Sequence, residues 1–526
     1  MARLDRLGRA KEVAQVGAAL GREFSHAMLA AVMRKPDAEL KSALDRIVGT
    51  GLLSRQGVPP HATYLFKHAL VQDAAYGTLL REQRRVLHSR IADVLESQFT
   101  DIAENQPELL ARHCTEAGLI EKAAGLWGKA GQRSLERSAL AEAIEQLTRA
   151  LDQIGTLPST TALRREQIKV QVALITPLIH VHGYAAPETK AAAESAHRLI
   201  EQAEAVGEPP EDRLLLFSVL YGYWVGNFGA FNAYGARNLA AQFLAFAEKQ
   251  DATSPLTIGH RIMAISLMFA GDLAQARMHF NQAFALYNPV EHRALATRFG
   301  HDPGVAIHSF RSLALWLLGY ADAALADAEE ALQHARKIGQ AGTLMYALFH
   351  TAMFAYFHCG DYATTRALLD ELIALADEKG SPFWRADGQM LQGSLLALTG
   401  KPSDAVPLIT TALAAWRSTG ATLFVPVHLS CWARAYSELG KFDDAWRCIG
   451  EAVTAIEATK ETWCESQSHR WRNRTYVSSG RSFKGASVFR ARAWNRPSAT
   501  SQVVGASRLH EPRTALARPG KNAASS

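Results

Sequence analysis

The sequence predicts an all-α fold made of helical hairpins stacked side by side, and two observations predict it. Glycines that could end helices recur along the second half of the chain, with spacings of 48, 41, 40 and 40 residues: Gly271, Gly319, Gly360, Gly400 and Gly440. Mostly small residues recur at fixed distances on both sides of these glycines. An internal repeat of this length is typical of arrays in which each repeat is one small structural unit.

The residues after each glycine predict the second helix of a hairpin. The fifth residue is Ala276, Ala324, Thr365, Ala405 or Ala445, and the twelfth is Ala283, Ala331, Leu372, Ala412 or Ala452. Glycine ends the first helix because it tolerates the left-handed backbone conformation. Positions five and twelve are two turns apart and therefore share one face of the second helix. Small side chains on that face let the two helices approach closely.

The residues before each glycine complete the hairpin. The seventh before it is Ala264, Ser312, Met353, Gly393 or Ala433, and the fourth is Leu267, Leu315, Tyr356, Leu396 or Tyr436. The larger side chains fill the space beside the small ones. One hairpin cannot bury its apolar side alone, so neighbouring hairpins must stack.

This pattern resembles the tetratricopeptide repeat, which has a small residue in its first helix, a Gly-Asp-Tyr-like turn and two alanines in its second. The turns Gly360-Asp361-Tyr362 and Gly440-Lys441-Phe442 match it, while Met353 and Leu372 depart from it. The period is near 40 rather than the usual ~34, which longer helices would explain. Gly118 and Ser138 are looser matches, and between about 160 and 260 the helices persist without regular spacing. We therefore expect repeats over residues 99–463.

The first hundred residues predict a small winged-helix-like domain over residues 1–98. Short helices are expected at 11–20, 25–33 and 37–48, with Ser25 and Asp37 as N-caps. Segments 52–55 and 63–66 flank a Gly/Pro turn and predict a β-hairpin. Two further helices are expected at 68–79 and 83–96.

Residues 66–76, Phe-Lys-His-Ala-Leu-Val-Gln-Asp-Ala-Ala-Tyr, are similar to the start of a helix in signal-transduction ATPases with numerous domains. In that class a winged-helix domain follows the nucleotide-binding domain, and a histidine at the position of His68 contacts a phosphate of the nucleotide. The resemblance implies that His68 senses nucleotide phosphate when an ATPase domain is present. The plainer alternative is that His68 only begins a helix or packs at its end.

A wider set of segments looks like the C-terminal half of bacterial class III adenylate/guanylate cyclases. The segments are 66–80, 125–131, 296–300 and 315–320, and the resemblance extends over about residues 1–465. In those proteins a cyclase domain and an ATPase domain precede this helical region. The resemblance implies a regulatory role that relays a bound partner to the ATPase and cyclase, in a chain that begins after both.

The sequence offers no catalytic residue, metal ligand or cofactor site of its own. It contains no GxxxxGK[ST] phosphate loop and no HExxH zinc motif. His180 and His182 flank a valine before Gly183, where a loop or cap role outweighs metal binding. Trp316, Trp416, Trp432 and Trp446 stand at repeat-consistent positions and predict core packing rather than ligand stacking.

Charge sets residues 464–526 apart from the rest of the chain. Residues 464–526 hold twelve Lys/Arg and two Asp/Glu. The rest of the chain therefore has 45 basic and 49 acidic side chains, a net charge of −4. This tail lacks apolar periodicity and is predicted to be disordered; we expect it to be out of frame relative to the family, or else to be a basic arm.

No ~18-residue apolar run or secretory signal is evident, and the five cysteines are scattered. The expected location is the cytoplasm.

The sequence therefore predicts a regulatory protein-interaction scaffold. Its expected partners are a protein or peptide in the concave groove of the repeats and a nucleotide-binding domain on the winged helix. Nucleic acid and membrane partners are not expected. Two alternatives stay open: a transcription regulator with a DNA-binding winged helix, and an ATP-dependent enzyme whose nucleotide-binding domain comes from another chain.

Overall fold

The computed structural model describes residues 7–250, 252–461 and 463, and it confirms the all-α fold class. The described chain consists mainly of helices, with one small sheet near its start. Two compact units are distinct: residues 7–178 with 191–219, and residues 179–190 with those from 220 onward. The predicted disordered tail, 464–526, lies outside the described residues.

The first unit begins with three helices and a three-stranded antiparallel sheet. The strands are β1 (Glu23–Ser25), β2 (Leu53–Gln56) and β3 (Thr63–Phe66). The helices that begin in this unit's portions of the chain are α1 (Ala10–Leu20), α2 (His26–Met33), α3 (Asp37–Gly49), α4 (Ala69–Gly77), α5 (Arg81–Gln98), α6 (Thr100–Asn105), α7 (Pro107–Ala117), α8 (Ile120–Glu136), α9 (Leu140–Ile154), α10 (Thr161–His182) and α12 (Leu214–Gly229).

The sheet confirms the predicted hairpin and adds a strand that the sequence did not predict. Strand β3 lies between the other two and pairs Tyr64 with both Phe24 and Arg55. The Phe24 and Tyr64 rings stack with centroids 5.8 Å apart. Ser25 caps α2 as predicted, since its side chain accepts a hydrogen bond from the backbone of Met28. The cap predicted at Asp37 is off by one residue, because Pro36 precedes the helix and Asp37 is its first residue.

The second unit is a run of helical hairpins. Its remaining helices are α11 (Pro187–Ala205, which continues into the first unit), α13 (Ala233–Glu248), α14 (Thr253–Phe269), α15 (Leu273–Leu286), α16 (Leu295–Phe299), α17 (Pro303–Leu317), α18 (Ala321–Ile338), α19 (Ala341–His350), α20 (Tyr362–Glu378), α21 (Pro382–Leu398), α22 (Pro402–Ser418), α23 (Val425–Glu438) and α24 (Phe442–Thr459). A π-helical turn, Thr351–Phe357, extends α19. None of the helices in the described part of the chain is long and apolar enough to cross a bilayer.

The predicted corner glycines lie at hairpin corners. Gly271, Gly319, Gly360, Gly400 and Gly440 all follow a first helix, with φ between 71° and 90°. Gly118 and Ser138 occupy equivalent corners in the first unit, with φ of 78° and 56°. Most of the paired helices have 14–18 residues, which accounts for a period longer than usual.

The small residues are where the paired helices touch. The ten residues at positions five and twelve after the five glycines are at most 1% exposed. A Cβ placed on Gly393 in α21 would lie 2.5 Å from Cγ1 of Ile409 in α22. The Ser312 hydroxyl donates a 2.7 Å hydrogen bond to the backbone oxygen of Ala324 on the next helix. Close approach of the two helices therefore depends on these side chains being small.

The second unit curls until its last hairpins meet its first. The backbone N–H groups of Thr422 and Leu423 donate hydrogen bonds to the carbonyl of Gly229, at 3.0 and 3.1 Å. A Cβ placed on Gly420 would lie 2.9 Å from the carbonyl oxygen of Ala185. The loop after α22 thus returns to the end of α12, and the first helices of the hairpins face inward around a shared centre.

Candidate ligand pocket of the second unit

A largely aromatic cavity of about 20 Å³ lies where the first helices of successive hairpins converge. The space is enough for water or a ligand group of a few atoms, and it is far smaller than a typical drug-sized site. Residues from α12, α14, α17, α19, α21 and α22, from the loop after α22, and from the loops that contain Tyr184 and His301 form its wall. The lining is mostly aromatic, but it includes one arginine, one aspartate and two histidines: Arg261, Asp387, His301 and His350.

Arg261 is the most unusual residue in this cavity. It lies on α14, its side chain is fully buried, and none of its three guanidinium nitrogens makes a hydrogen bond of good geometry to a described residue, although the guanidinium lies close enough to the Tyr221 hydroxyl to interact with it. Its Cζ atom lies 5.4 Å from the centre of the Tyr221 ring. A cation–π contact of this kind offsets only a small part of the cost of burying a full positive charge. The arginine is therefore a buried cation to which no carboxylate of the described residues is hydrogen-bonded.

Three other polar atoms of the cavity wall lack partners among the described residues. They are Oδ1 of Asp387, the hydroxyl of Tyr184 and Nδ1 of His301. Buried polar groups in folded proteins are nearly always hydrogen-bonded. Four such residues lining one cavity indicate a place where a ligand or ordered water supplies the missing partners.

The wall beside these groups is held by a hydrogen-bonded network around His180. The indole N–H of Trp384 donates to Nδ1 of His180 at 3.1 Å, and Nε2 of His180 is 2.7 Å from the carbonyl of Gly300. The hydroxyl of Ser381 also donates to the backbone oxygen of His180. His180 lies in the last turn of α10 rather than in the loop that the sequence favoured, and its contacts are those of a buried structural residue.

Arg261 is the one residue of the lining whose charge does not depend on pH near neutrality, because an arginine is effectively always protonated. Burial lowers the pKa of His350 to about 3 and lowers that of His301 well below its ordinary value, so both rings are neutral near pH 7. Burial raises the pKa of the Asp387 carboxyl well above its usual range. Burial also raises the pKa of the Tyr221 phenol, and the nearby guanidinium partly offsets this effect. Burial therefore disfavours the charged form of every titratable group of the lining named here except Arg261.

The histidine singled out from the sequence lies elsewhere, in the first unit. His68 is exposed and immediately precedes α4, where its side chain makes no capping hydrogen bond. Its carbonyl accepts from the backbone of Val71 at 3.0 Å. Among the described residues, no group of three or more His, Cys, Asp or Glu side chains could hold a metal ion.

Of the four tryptophans predicted to pack in the core, Trp416 is 2% exposed and lines the cavity, while the others are half-buried. Arg261, Asp387 and Trp384 were missed from the sequence. For Arg261 the sequence holds a faint signal, which is a single charged residue within the apolar stretch of a first helix. Thr253–Phe269 contains only one Asp, Glu, Lys or Arg, and that residue is Arg261.

Comparison with known proteins gives one relative of similar sequence. No protein-family model matches the chain. The chain is 27% identical over 483 residues to an uncharacterised protein of Rhizobium meliloti (strain 1021), an alignment that covers 89% of this chain and 45% of that protein. The chain therefore spans less than half the length of this relative.

Solved structures with a similar arrangement of helices have low sequence identity. A Rap protein complexed with competence and sporulation factor has a TM-score of 0.43 and 12% identity, over 68% of this chain and 98% of that one. A signal transduction ATPase with numerous domains that carries a tetratricopeptide repeat sensor, from Pyrococcus horikoshii, has a TM-score of 0.36 and 11% identity, over 92% of this chain and 64% of that one.

Proposed function

We propose that this chain is a regulatory, non-catalytic scaffold that binds a partner or ligand through its helical repeats and relays that event to a signalling ATPase and cyclase. The observation that carries the proposal is the cavity of the second unit, where Arg261 and Asp387 are buried without full hydrogen bonding. Unpaired polar groups are costly in a core. A binding site compensates for that cost when its ligand arrives.

The link to an ATPase and cyclase rests on the sequence segments described above. It is supported by the length of the Rhizobium meliloti relative, of which this chain spans 45%. We propose the division into a winged-helix-like domain (1–98) and a repeat region (99–463) as part of the same scheme. We further propose that His68, exposed at the start of α4, contacts nucleotide phosphate when a nucleotide-binding domain packs on the winged helix.

The test starts from the coding DNA upstream of Met1, which we expect to encode a cyclase domain and a phosphate-loop domain. ATP hydrolysis and cyclase activity would then be measured for those domains with and without this chain. His68→Ala is expected to alter the nucleotide response, whereas His61→Ala, at another exposed histidine of the first unit, is expected to leave it unchanged. Absence of both domains upstream, or equal effects of the two variants, would contradict the proposal.

A DNA-binding winged helix is the second candidate, favoured by the three helices and antiparallel sheet of residues 10–66. Binding to phosphate needs a basic helix. Helix α3, which precedes the β2–β3 hairpin, has two basic residues, Lys41 and Arg46. It also has three acidic residues, Asp37, Glu39 and Asp45. Salt-dependent DNA binding by the full chain that is lost in Lys41→Glu would favour this candidate.

A further inference from the structure

We propose that the cavity of the second unit is a binding site for a small organic monocarboxylate, whose carboxylate pairs with the guanidinium of Arg261. This inference deepens the proposed function, and rests on it, by naming the chemical class of the ligand that the repeats sense. It is carried by the position of Arg261 on the cavity wall, its complete burial and the lack of any carboxylate bonded to its guanidinium among the described residues.

Arg261 differs in kind from an arginine that only stabilises the fold. Arg311, on the neighbouring first helix α17, makes two hydrogen bonds of 2.6 and 2.7 Å to the carboxylate of Asp327. Arg261 has no such acid, although it is more deeply buried than Arg311. A buried guanidinium stays protonated, and its burial destabilises the fold when no carboxylate pairs with it. The fold therefore holds a cation whose counter-charge is external.

The chemistry of the wall favours a carboxylate with one negative charge. The planar guanidinium offers parallel N–H groups that match the two oxygens of a carboxylate. One fixed cation matches one negative charge, whereas a phosphate dianion would remain half-neutralised. The Tyr184 hydroxyl, which lacks a partner among the described residues, can donate a further hydrogen bond, and so can Asp387 when it is protonated, the form that its burial favours.

The size of the cavity favours a free small acid over the end of a polypeptide. A volume of about 20 Å³ suits a head group of a few atoms. Aromatic side chains surround that space, and the loop Ala421–Phe424 closes one side of it. A peptide would have to thread its chain between these rings to bring a C-terminal carboxylate to Arg261. A small acid needs only to displace water.

The experiment uses the full chain and acetate as the probe, with acetamide as its uncharged isostere and sodium chloride at equal ionic strength. Thermal unfolding midpoints and saturation-transfer NMR of the probe methyl group report binding. Acetate is expected to raise the midpoint saturably, because a ligand that binds only the folded state stabilises it. Acetamide and chloride are expected not to. Equal shifts from acetate and acetamide, or no saturable acetate signal, would overturn the proposal.

Two variants separate recognition from structural support. Arg261→Met should weaken acetate binding by at least about 30-fold, and it should raise the midpoint of the ligand-free protein because an unpaired buried charge is removed. Arg311→Met is the matched control, which should lower the midpoint by leaving Asp327 unpaired and yet keep the acetate response. A lowered ligand-free midpoint for Arg261→Met together with unchanged acetate binding would assign Arg261 to the core and end the proposal.

A further arm distinguishes the source of the carboxylate. Trialanine with a free C-terminus, compared with its C-terminal amide, tests a peptide end. Saturable binding of the free-acid peptide without acetate binding would overturn the assignment to a small acid. Failure of acetate to bind, with cyclase control by this chain intact, would refute this inference alone. Acetate binding without any effect on an ATPase or cyclase would leave the site in place and refute the proposed function.

Discussion

The close nesting of paired helices can be tested by adding a single methyl group at two glycines of the second unit. Gly393 lies in the middle of α21 and is buried against α22, whereas Gly450 lies in the middle of α24 and is exposed. A Cβ on Gly393 would be 2.5 Å from Cγ1 and 3.3 Å from the backbone nitrogen of Ile409. A Cβ on Gly450 would meet nothing within 4 Å.

The expected magnitudes follow from two opposing effects. Replacing a mid-helix glycine with alanine stabilises a helix by about 1 kcal/mol, and this gain is common to both variants. Overpacking at Gly393 costs about 1–3 kcal/mol, because the added Cβ would crowd both Cγ1 and the backbone nitrogen of the fully buried Ile409. Gly450→Ala should therefore be stabilised by about 1 kcal/mol. Gly393→Ala should be less stable than Gly450→Ala by about 1–3 kcal/mol.

Urea unfolding of the full chain, followed by circular dichroism at 222 nm, measures the difference. Both variants should keep the same slope with denaturant, so that the change in midpoint reports stability. If the two midpoints move equally, the helices do not nest at Gly393 as the structure places them, and the account of the repeat is wrong.

Three further predictions concern the backbone, the buried histidines and the thiols. Ser138→Gly should raise the urea midpoint, because Ser138 holds a φ of 56° that costs a non-glycine residue about 1–2 kcal/mol; a lowered midpoint would contradict this. Burial lowers the pKa of His350 to about 3 and of His428 to about 4, below the ordinary value near 6.5, so the unfolded chain binds protons that the folded chain does not. The midpoint should thus be highest above about pH 6.5 and fall between pH 6.5 and 4, and an unchanged midpoint at pH 5 would refute the burial of these rings. The half-buried Cys359 should react with a thiol reagent at pH 8 before the buried Cys431, whose pKa burial raises to about 11; peptide mass spectrometry would show the order, and the reverse order would count against the structure.

The hairpin corners could be predicted because their requirement is local. A residue that must adopt positive φ between two helices is usually glycine, and this signal is visible without knowledge of the fold. The hairpin corner at Phe231 cannot be found from the spacing of glycines, because a phenylalanine adopts the positive φ there, at 36°. It lies 40 residues before Gly271, and Ala236 follows it by five residues, as the repeat requires. The interval between residues 160 and 260, where the glycine spacing is irregular, therefore contains one more hairpin.

A second series of glycines in the sequence marks the turns between hairpins. Gly300, Gly339, Gly380 and Gly420 all have positive φ and lie in the turns between hairpins rather than within them. Their spacing is close to that of the corner glycines, about half a repeat out of step. Reading both series together would have divided each repeat into two helices of nearly equal length.

The cavity could not be predicted, because it is a product of curvature. Arg261, His301 and Asp387 are far apart in sequence and come from separate hairpins. They meet only because the hairpins curl around a common centre, and one sequence does not show the angle between successive repeats. The single charged residue of an apolar helix, Arg261, is the only sign of the cavity that the sequence of the helix contains.

The hydrogen bonds from Thr422 and Leu423 to Gly229 change how the second unit should come apart. In an open array each repeat touches only its neighbours, so such arrays fray from their free ends and lose repeats one at a time. Here the loop before the last hairpin is hydrogen-bonded to the end of α12. Unfolding of the repeats at one end of the second unit should therefore destabilise the repeats at its other end. We therefore expect residues 220–461 to melt as a single cooperative block, more like a globular domain than a zipper.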